Sequence, residues 1–463
     1  MKIKDDLVAE DLQELLNRFW KLSGQKIRLI RDEYDTAKGS PVFTKRGKYT
    51  SRGWTEWTQG FQFGSEILQY DVTDDTEFLD MAREATINEM APHITHIGVH
   101  DHGFNNVSTY GALRRLSHEG RIEADKWENE FYDLALKSTG AVQAARWTTT
   151  EDGEGFIHSF NGPHSLFVDT VRTLRALAIS HQLGHTLYGE HDEPISLLER
   201  LIQHARKTAR YNIYYGSTDA PYDIRGRTAH ESVFNVTDGQ YRCPNSQQGY
   251  SPFSTWTRGL AWAMCGFAEQ LEWLETIDDE ELEPFGGRSA IEKMMLEAAK
   301  ATCDFYIDHT SLDGIPYWDT GAPQLHKLGD YTQVPADPYN DFEPVDSSAA
   351  AIGAQGLLRL GHYLNTNNEQ EDGSRYWQAG LTVGRTLLDE PYLSTDESHQ
   401  GLLLHSVYHR PNGWDYIPEG QSIPCGESSM WGDYHMRELA LYLTRIYNEA
   451  PYYTFFNGIK SEV

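Results

Sequence analysis

Apolar residues along this chain recur at helical spacing and seldom alternate. Between positions 5 and 22, Leu7, Val8, Leu12, Leu15, Leu16 and Phe19 fall three or four residues apart, as on one face of a helix. The same periodicity predicts helices near 66–70, 77–91, 107–118, 123–138, 165–183, 194–210, 256–275, 288–307, 346–364, 373–388 and 432–447. Strand-like alternation is scarce. The pattern therefore predicts an all-α protein whose helices are joined by long loops, with residues 1–463 forming a single domain. A basic, turn-rich stretch lies at about Arg28 to Arg52. The stretches 211–253 and 311–345 read as loops of a length that is more often functional than idle.

Several helices open on an aromatic-glycine cluster: Trp57-Thr58-Gln59-Gly60-Phe61, Trp256-Thr257-Arg258-Gly259 and Trp431-Gly432-Asp433-Tyr434. Before the second of these runs a polar loop, Gln247-Gln248-Gly249-Tyr250-Ser251-Pro252-Phe253, with Ser254 or Thr255 as the expected N-cap. Beyond it Arg258, Trp262 and Cys265 stand at i, i+4 and i+7 and share a face. A guanidinium on a semi-buried face with an aromatic one turn away suits a planar carboxylate and a sugar ring. An arginine that snorkels off a core helix would have the same sequence.

Composition narrows the partners. A net charge of −29 repels nucleic acid and anionic membrane surfaces, and no run approaches the length of a membrane span. Aromatics make up 12% of the chain, including 12 Trp and 26 Tyr, which favours a lined cleft with carbohydrate as the ligand class. The four cysteines, Cys243, Cys265, Cys303 and Cys425, are widely spaced with no C-x-x-C, so neither a zinc site nor a disulfide framework is indicated. The N-terminus has no apolar h-region, and a reduced, cytoplasmic protein is expected. Neither a Gly-rich phosphate loop nor G-x-S-x-G is present, and no cofactor is expected.

Two carboxylates stand out. Asp101 lies between two histidines in His100-Asp101-His102-Gly103-Phe104, and Asp169 lies in the mostly apolar stretch Ser165–Leu174. On a helical wheel Asp169 shares its inward side with Leu166, Thr173 and Ala176. Burial without a local cation raises a carboxyl pKa, as a general acid near neutral pH requires. A helix N-cap or a structural acceptor is the other reading of Asp169. His93, His96, His100 and His102 lack a firm ligand geometry, and the neighbouring carboxylate accounts for His100, so no metal is expected. His230-Glu231 is a further polar pair in a long loop.

Taken in order, these blocks resemble glycoside hydrolase family 88, the unsaturated glucuronyl hydrolases, with the unsaturated rhamnogalacturonyl hydrolases further off. Carrying the resemblance are the Trp57 and His100-Asp101 blocks, the Asp169 segment, Thr208-Ala209-Arg210-Tyr211-Asn212, Gln248-Gly249-Tyr250 through Trp262, Asp346-Ser347-Ser348-Ala349-Ala350-Ala351 and Trp431-Gly432-Asp433-Tyr434. The resemblance implies an (α/α)6 barrel with a pocket at one end. It also implies removal of a 4,5-unsaturated uronic acid from lyase-generated oligosaccharides by hydration of the C4=C5 enol ether. On the matching positions, Asp169 would protonate C4 and assist the water that adds at C5, and Asp101 would be the second pocket carboxylate. His100, His230, Gln248, Arg258 and Trp262 would bind the sugar and its carboxylate, and Trp57 would stack. Phe160 stands where the family commonly offers a Trp for the next sugar, and the loop from Tyr214 to Asn245 has its own pattern. These departures keep open a glycosidase for saturated glucuronides or rhamnogalacturonan-type ends, with Asp101 and Asp169 as its paired carboxylates. A sugar epimerase and a non-catalytic carbohydrate-binding protein are the remaining readings. A monomer or homodimer is expected.

Overall fold

The computed structural model describes residues 1–53 and 56–456. In chain order its main helices are α1 Gln13–Glu33, α2 Gln59–Thr73, α3 Thr76–Glu89, α4 His102–Asn106, α5 Ala112–His118, α6 Lys126–Ala145, α7 Thr170–Thr173, α8 Arg175–Gln182, α9 Leu197–Tyr211, α10 Thr257–Leu274, α11 Arg288–His309, α12 Ser347–Thr366, α13 Gln370–Leu387 and α14 Met430–Tyr447. A π-helical turn, Val107–Gly111, joins α4 to α5.

Burial sorts these helices into two classes. Every residue of α10 is buried, as is α12 from Ser347 to Gly361, and α2, α4, α7 and α14 are buried on nearly all sides. A helix with no solvated face has to be surrounded by others. By contrast α1, α3, α6, α9, α11 and α13 bury one stripe each; in α9 the stripe is Leu197, Leu198, Leu201, Ile202, Ala205 and Ala209. The inner helices touch in a closed circuit: α2 on α4, α4 on α7, α7 on α10, α10 on α12, α12 on α14, and α14 back on α2. This is the (α/α)6 barrel implied by the resemblance. No helix among the described residues is long and apolar enough to cross a membrane.

Close approach and buried charge hold the inner ring together. At Gly103 a Cβ would collide with the backbone of Thr173, so only glycine lets α4 lie this near α7. Along the axis Arg172 of α7 pairs with Glu269 of α10 at 3.0 Å and with Glu438 of α14 at 2.9 Å, while Arg359 of α12 pairs with Glu272 at 2.8 Å. Burial opposes ionisation of Glu438, but Arg172 and Arg175 outweigh it and hold the carboxyl at about 2.

The structure corrects the sequence reading in three places. Residues 165–183 are not one helix. Ser165–Phe167 forms a strand, β3 in a numbering that begins with the hairpin β1 Phe43–Lys45 and β2 Lys48–Thr50. It pairs with β4 Glu231–Phe234, which pairs in turn with β5 Tyr241–Asn245. Three residues are too few to show a two-residue period, and pairing with a distant segment decides them. The helix expected from 107 begins at His102. Finally, α1 runs on to Glu33 and absorbs Arg28, whose guanidinium reaches Asp75 and Glu77, each at 2.8 Å.

Candidate active site

The inner helices start at one end of the barrel, and the candidate residues lie at or just before those starts. Trp57 precedes α2, Asp101 precedes α4 and Asp169 precedes α7; Gln247, Gln248 and Trp256 precede α10. Asp346 caps α12, its Oδ1 accepting the Ser348 N–H at 3.1 Å, and Trp431 opens α14. One cleft is lined by Trp57, His100, Asp101, Phe160, Asp169, Gln248, Arg258 and Trp262, with Val99, Phe104, Gln247, Trp256, Tyr408, His409 and Trp414 completing its wall.

At its floor are three titratable groups. The His100 ring is 1% exposed, and its Nε2 lies 3.5 Å from Asp169 Oδ1 and 3.8 Å from Asp101 Oδ1. The backbone beneath is pinned: the His100 carbonyl accepts from Thr173 Oγ1 and from Gln143 Nε2, each at 2.9 Å. Thus one hydroxyl of α7 ties the Asp101 segment to the Asp169 segment. Asp169 stands at the β3–α7 junction in the N-cap position of α7, where its side chain makes no capping hydrogen bond.

The electrostatics reverse the expectation for Asp169. Burial raises its pKa, but the adjacent His100 outweighs burial and leaves the carboxyl below its ordinary value. Asp101 is the carboxyl whose pKa is raised, by burial first and by Asp169 in addition, against the pull of His100. Burial lowers the His100 pKa, and the two carboxylates more than restore it, leaving it above the ordinary imidazole value. The sequence reading placed Asp169 on an inward helix face without a cation; the fold places an imidazole beside it.

Arg258 also differs from its expected role. Its Nη1 donates to Asp346 Oδ2 and to the Val407 carbonyl, both at 2.6 Å, and its Nη2 donates to the Tyr408 carbonyl at 2.8 Å and to Gln248 Oε1 at 3.1 Å. With each terminal nitrogen holding two protein acceptors, the guanidinium is not free to grip a uronate in bidentate fashion. It fixes the pocket wall instead, lodged between Trp256 and Trp431 at 4.7 and 5.1 Å from their ring centroids.

His230 lies behind the lining, its ring 4.3 Å from that of Phe167 and 4.8 Å from that of Trp256. Its Nδ1 accepts the Gln247 and Gln248 N–H groups at 3.0 and 3.3 Å. That arrangement requires the proton on Nε2, which is buried without a protein partner among the described residues. Trp57 stacks on Trp431 at 5.2 Å, Trp262 meets Phe104 at 4.7 Å, and Phe160 lies over His100 at 6.0 Å with the rings 20° apart. His93 and His102 spend their ring nitrogens on Gln59, Asn105, Thr139 and the His96 carbonyl. Sequence reasoning missed Tyr408, His409 and Trp414; the aromatics spaced along Tyr408-His409-Arg410-Pro411-Asn412-Gly413-Trp414-Asp415-Tyr416 were the available signal.

No family model matches the chain. The unsaturated glucuronyl hydrolase of Bacillus sp. (strain GL1) is 26% identical over 405 residues, covering 86% of this chain and 89% of that protein. An unsaturated chondroitin disaccharide hydrolase of Streptococcus pyogenes serotype M1 is 23% identical over 458 residues, covering 97% and 95%. The crystal structure of the Bacillus sp. GL1 enzyme superposes with a TM-score of 0.68 at 22% identity, covering 92% of this chain and 97% of that one. Sequence similarity across nearly the whole length and a shared barrel agree with the ordered motifs: the chain is similar to the unsaturated glucuronyl hydrolases and shares their (α/α)6 fold.

Proposed function

We propose that this hydrolase removes a 4,5-unsaturated uronic acid from the non-reducing end of lyase-generated oligosaccharides by hydrating the C4=C5 enol ether. The supporting observation is the Asp101–His100–Asp169 cluster on the floor of a cleft at which the inner helices begin. Helix N-termini present partial positive charge, so an anionic sugar is favoured in this cleft although the chain as a whole carries −29. The side-chain amide nitrogen of Gln248 is a donor suited to its carboxylate and hydroxyls, and His230, behind the lining, holds the backbone that presents it. Trp57, Trp262 and Phe160 supply apolar faces for the rings.

Asp169 delivers the proton to C4. A bound uronate places a second negative charge beside Asp169 and displaces water, and both raise its pKa toward that of a working acid. Positive charge developing at C5 is stabilised by the cluster's carboxylates. Asp169 then accepts a proton from the water that adds at C5. The product carries a hydroxyl beside the ring oxygen, a hemiketal that opens and releases the neighbouring sugar. Asp101 holds sugar hydroxyls and, through His100, the charge state of Asp169.

One continuous core runs through the helices, which supports residues 1–463 as a single catalytic domain. The four cysteines are free thiols, which supports a cytoplasmic location. The test follows ultraviolet absorbance of the conjugated enol-ether carboxylate in a panel of lyase-generated disaccharides, with Asp169→Asn and Asp101→Asn beside the wild type. Absorbance lost with wild type alone is expected. Cleavage of saturated glucuronides with no loss of absorbance would overturn the mechanism.

A further inference from the structure

A buried carboxylate outside the cleft, Asp319, holds the loop that carries Gln248. Asp319 is fully buried. Its Oδ2 accepts the Tyr250 N–H and its Oδ1 the Gly321 N–H, each at 2.8 Å. The segment around Asp319 is itself zipped to the start of α10. The Thr257 N–H donates to the Trp318 carbonyl at 3.1 Å, the Thr320 N–H to the Thr255 carbonyl at 3.0 Å, and Thr257 Oγ1 to the Tyr317 carbonyl at 2.8 Å. Asp319 is thus anchored on the helix that bears Arg258, and it reaches across to the loop two residues beyond Gln248. On the other side His230 Nδ1 holds the Gln247 and Gln248 amides. Between these two anchors the Gln248 side chain is set with its oxygen on Arg258 Nη2 and its amide nitrogen available to the pocket.

We propose that Asp319 is a positioning residue for the reaction: by holding the Tyr250 amide it fixes Gln248 at the pocket wall. The inference rests on the reading of Gln248 as a substrate contact. Both Asp319 oxygens act as acceptors, a role the ionised carboxylate fills and the protonated one fills only in part. Burial pushes the Asp319 pKa up to about 6 against the pull of its amide donors, Ser254 and Arg227. The charged and titratable groups facing it are Arg227, from the loop before β4, and Tyr331, from the turn Tyr331–Gln333. Gln248 is therefore held firmly above that pH and loosely below it.

The experiment measures KM and kcat for wild type, Asp319→Asn, Gln248→Ala and the double variant from about pH 5 to about pH 8. At the upper end Asp319→Asn is expected to raise KM about tenfold with kcat within about threefold, the scale of one buried hydrogen bond to a charged acceptor. The ratio of variant to wild-type KM should fall toward one as the pH drops through 6, because protonation brings the wild type to the variant's state. In the Gln248→Ala background Asp319→Asn should change KM less than about twofold, since the group it positions is gone. A structural role alone would instead lower stability at all pH values and add to the Gln248→Ala effect. Unchanged KM in Asp319→Asn, with KM raised in Gln248→Ala, overturns the assignment of Asp319. Unchanged KM in Gln248→Ala overturns the substrate contact and the inference with it. Should Asp319→Asn not fold, wild-type hydrogen exchange decides. Protection of the Gly249, Tyr250, Ser251 and Phe253 amides, corrected for intrinsic rate, should be lost between about pH 7.5 and about pH 5, and equal protection overturns the proposal.

Discussion

Arg258→Lys keeps the charge and should still disable the site. The guanidinium serves four acceptors at once: Asp346, the Val407 and Tyr408 carbonyls, and Gln248. An ammonium has three donors on a single atom, so it retains the Asp346 pair and loses at least two of the others. Hydrogen bonds to charged groups are worth about 1.5–3 kcal/mol each. Two lost bonds set a floor near 3 kcal/mol, and water entering from the pocket side returns part of it. The net cost is then about 2 kcal/mol, equivalent to about a 30-fold fall in kcat/KM. It should appear mainly in KM, because the stranded acceptors are the backbone of Tyr408 and the side chain of Gln248, both of which line the cleft. Absorbance-monitored kinetics on the best disaccharide give kcat/KM, and thermal unfolding gives the cost to the fold. A variant within threefold of wild type, with unchanged Tm, would refute the account of Arg258 as the fixture of the pocket wall.

Other consequences follow from the same geometry. In Asp101→Asn the imidazole loses one of the two carboxylates that raise its pKa, so His100 should release its proton at lower pH; an unshifted His100 ring titration by NMR contradicts the cluster. Gly103→Ala forces α4 away from α7 and parts Asp101 from Asp169, and kcat/KM should fall at least about 100-fold in a protein that still folds; near-normal turnover would show that the spacing is not critical. Glu438→Gln leaves Arg172 and Arg175 short of a buried counter-charge and should cost about 3–5 kcal/mol in denaturant unfolding; a loss below about 1 kcal/mol would mean that water reaches the barrel axis.

Much of this molecule was legible in its sequence because inner and outer helices obey different burial rules. The outer helices show an amphipathic period, and the inner ones show aromatic-glycine starts followed by apolar runs. The candidate site was legible as far as it sits at those starts: Trp57, Asp101 and Arg258 lie beside a helix beginning, and Gln248 lies in the loop that leads to one. What stayed hidden depends on contacts between distant segments. The proton preference of Asp169 is set by His100, 69 positions earlier, and the helical-wheel argument failed because β3 replaces the first turn of the expected helix. The commitments of Arg258 are made to residues near 346 and 408, which no local pattern connects to 258. Tyr408, His409 and Trp414 lie in an irregular loop without a period to read.

The ionic lattice on the barrel axis also constrains the order in which the chain can mature during synthesis. Arg172 leaves the ribosome early, yet its partner Glu438 follows 266 residues later. Until α14 arrives, Arg172 and Arg175 have Glu269 but lack that second acid, and a nascent barrel that dried its centre would leave two buried cations short of counter-charge, at a cost of several kcal/mol. Partial barrels are therefore expected to stay hydrated along the axis until the final helix closes the ring. Assembly is correspondingly non-local, and nascent chains that stop short of α14 should depend on chaperones where shorter-range helical folds do not.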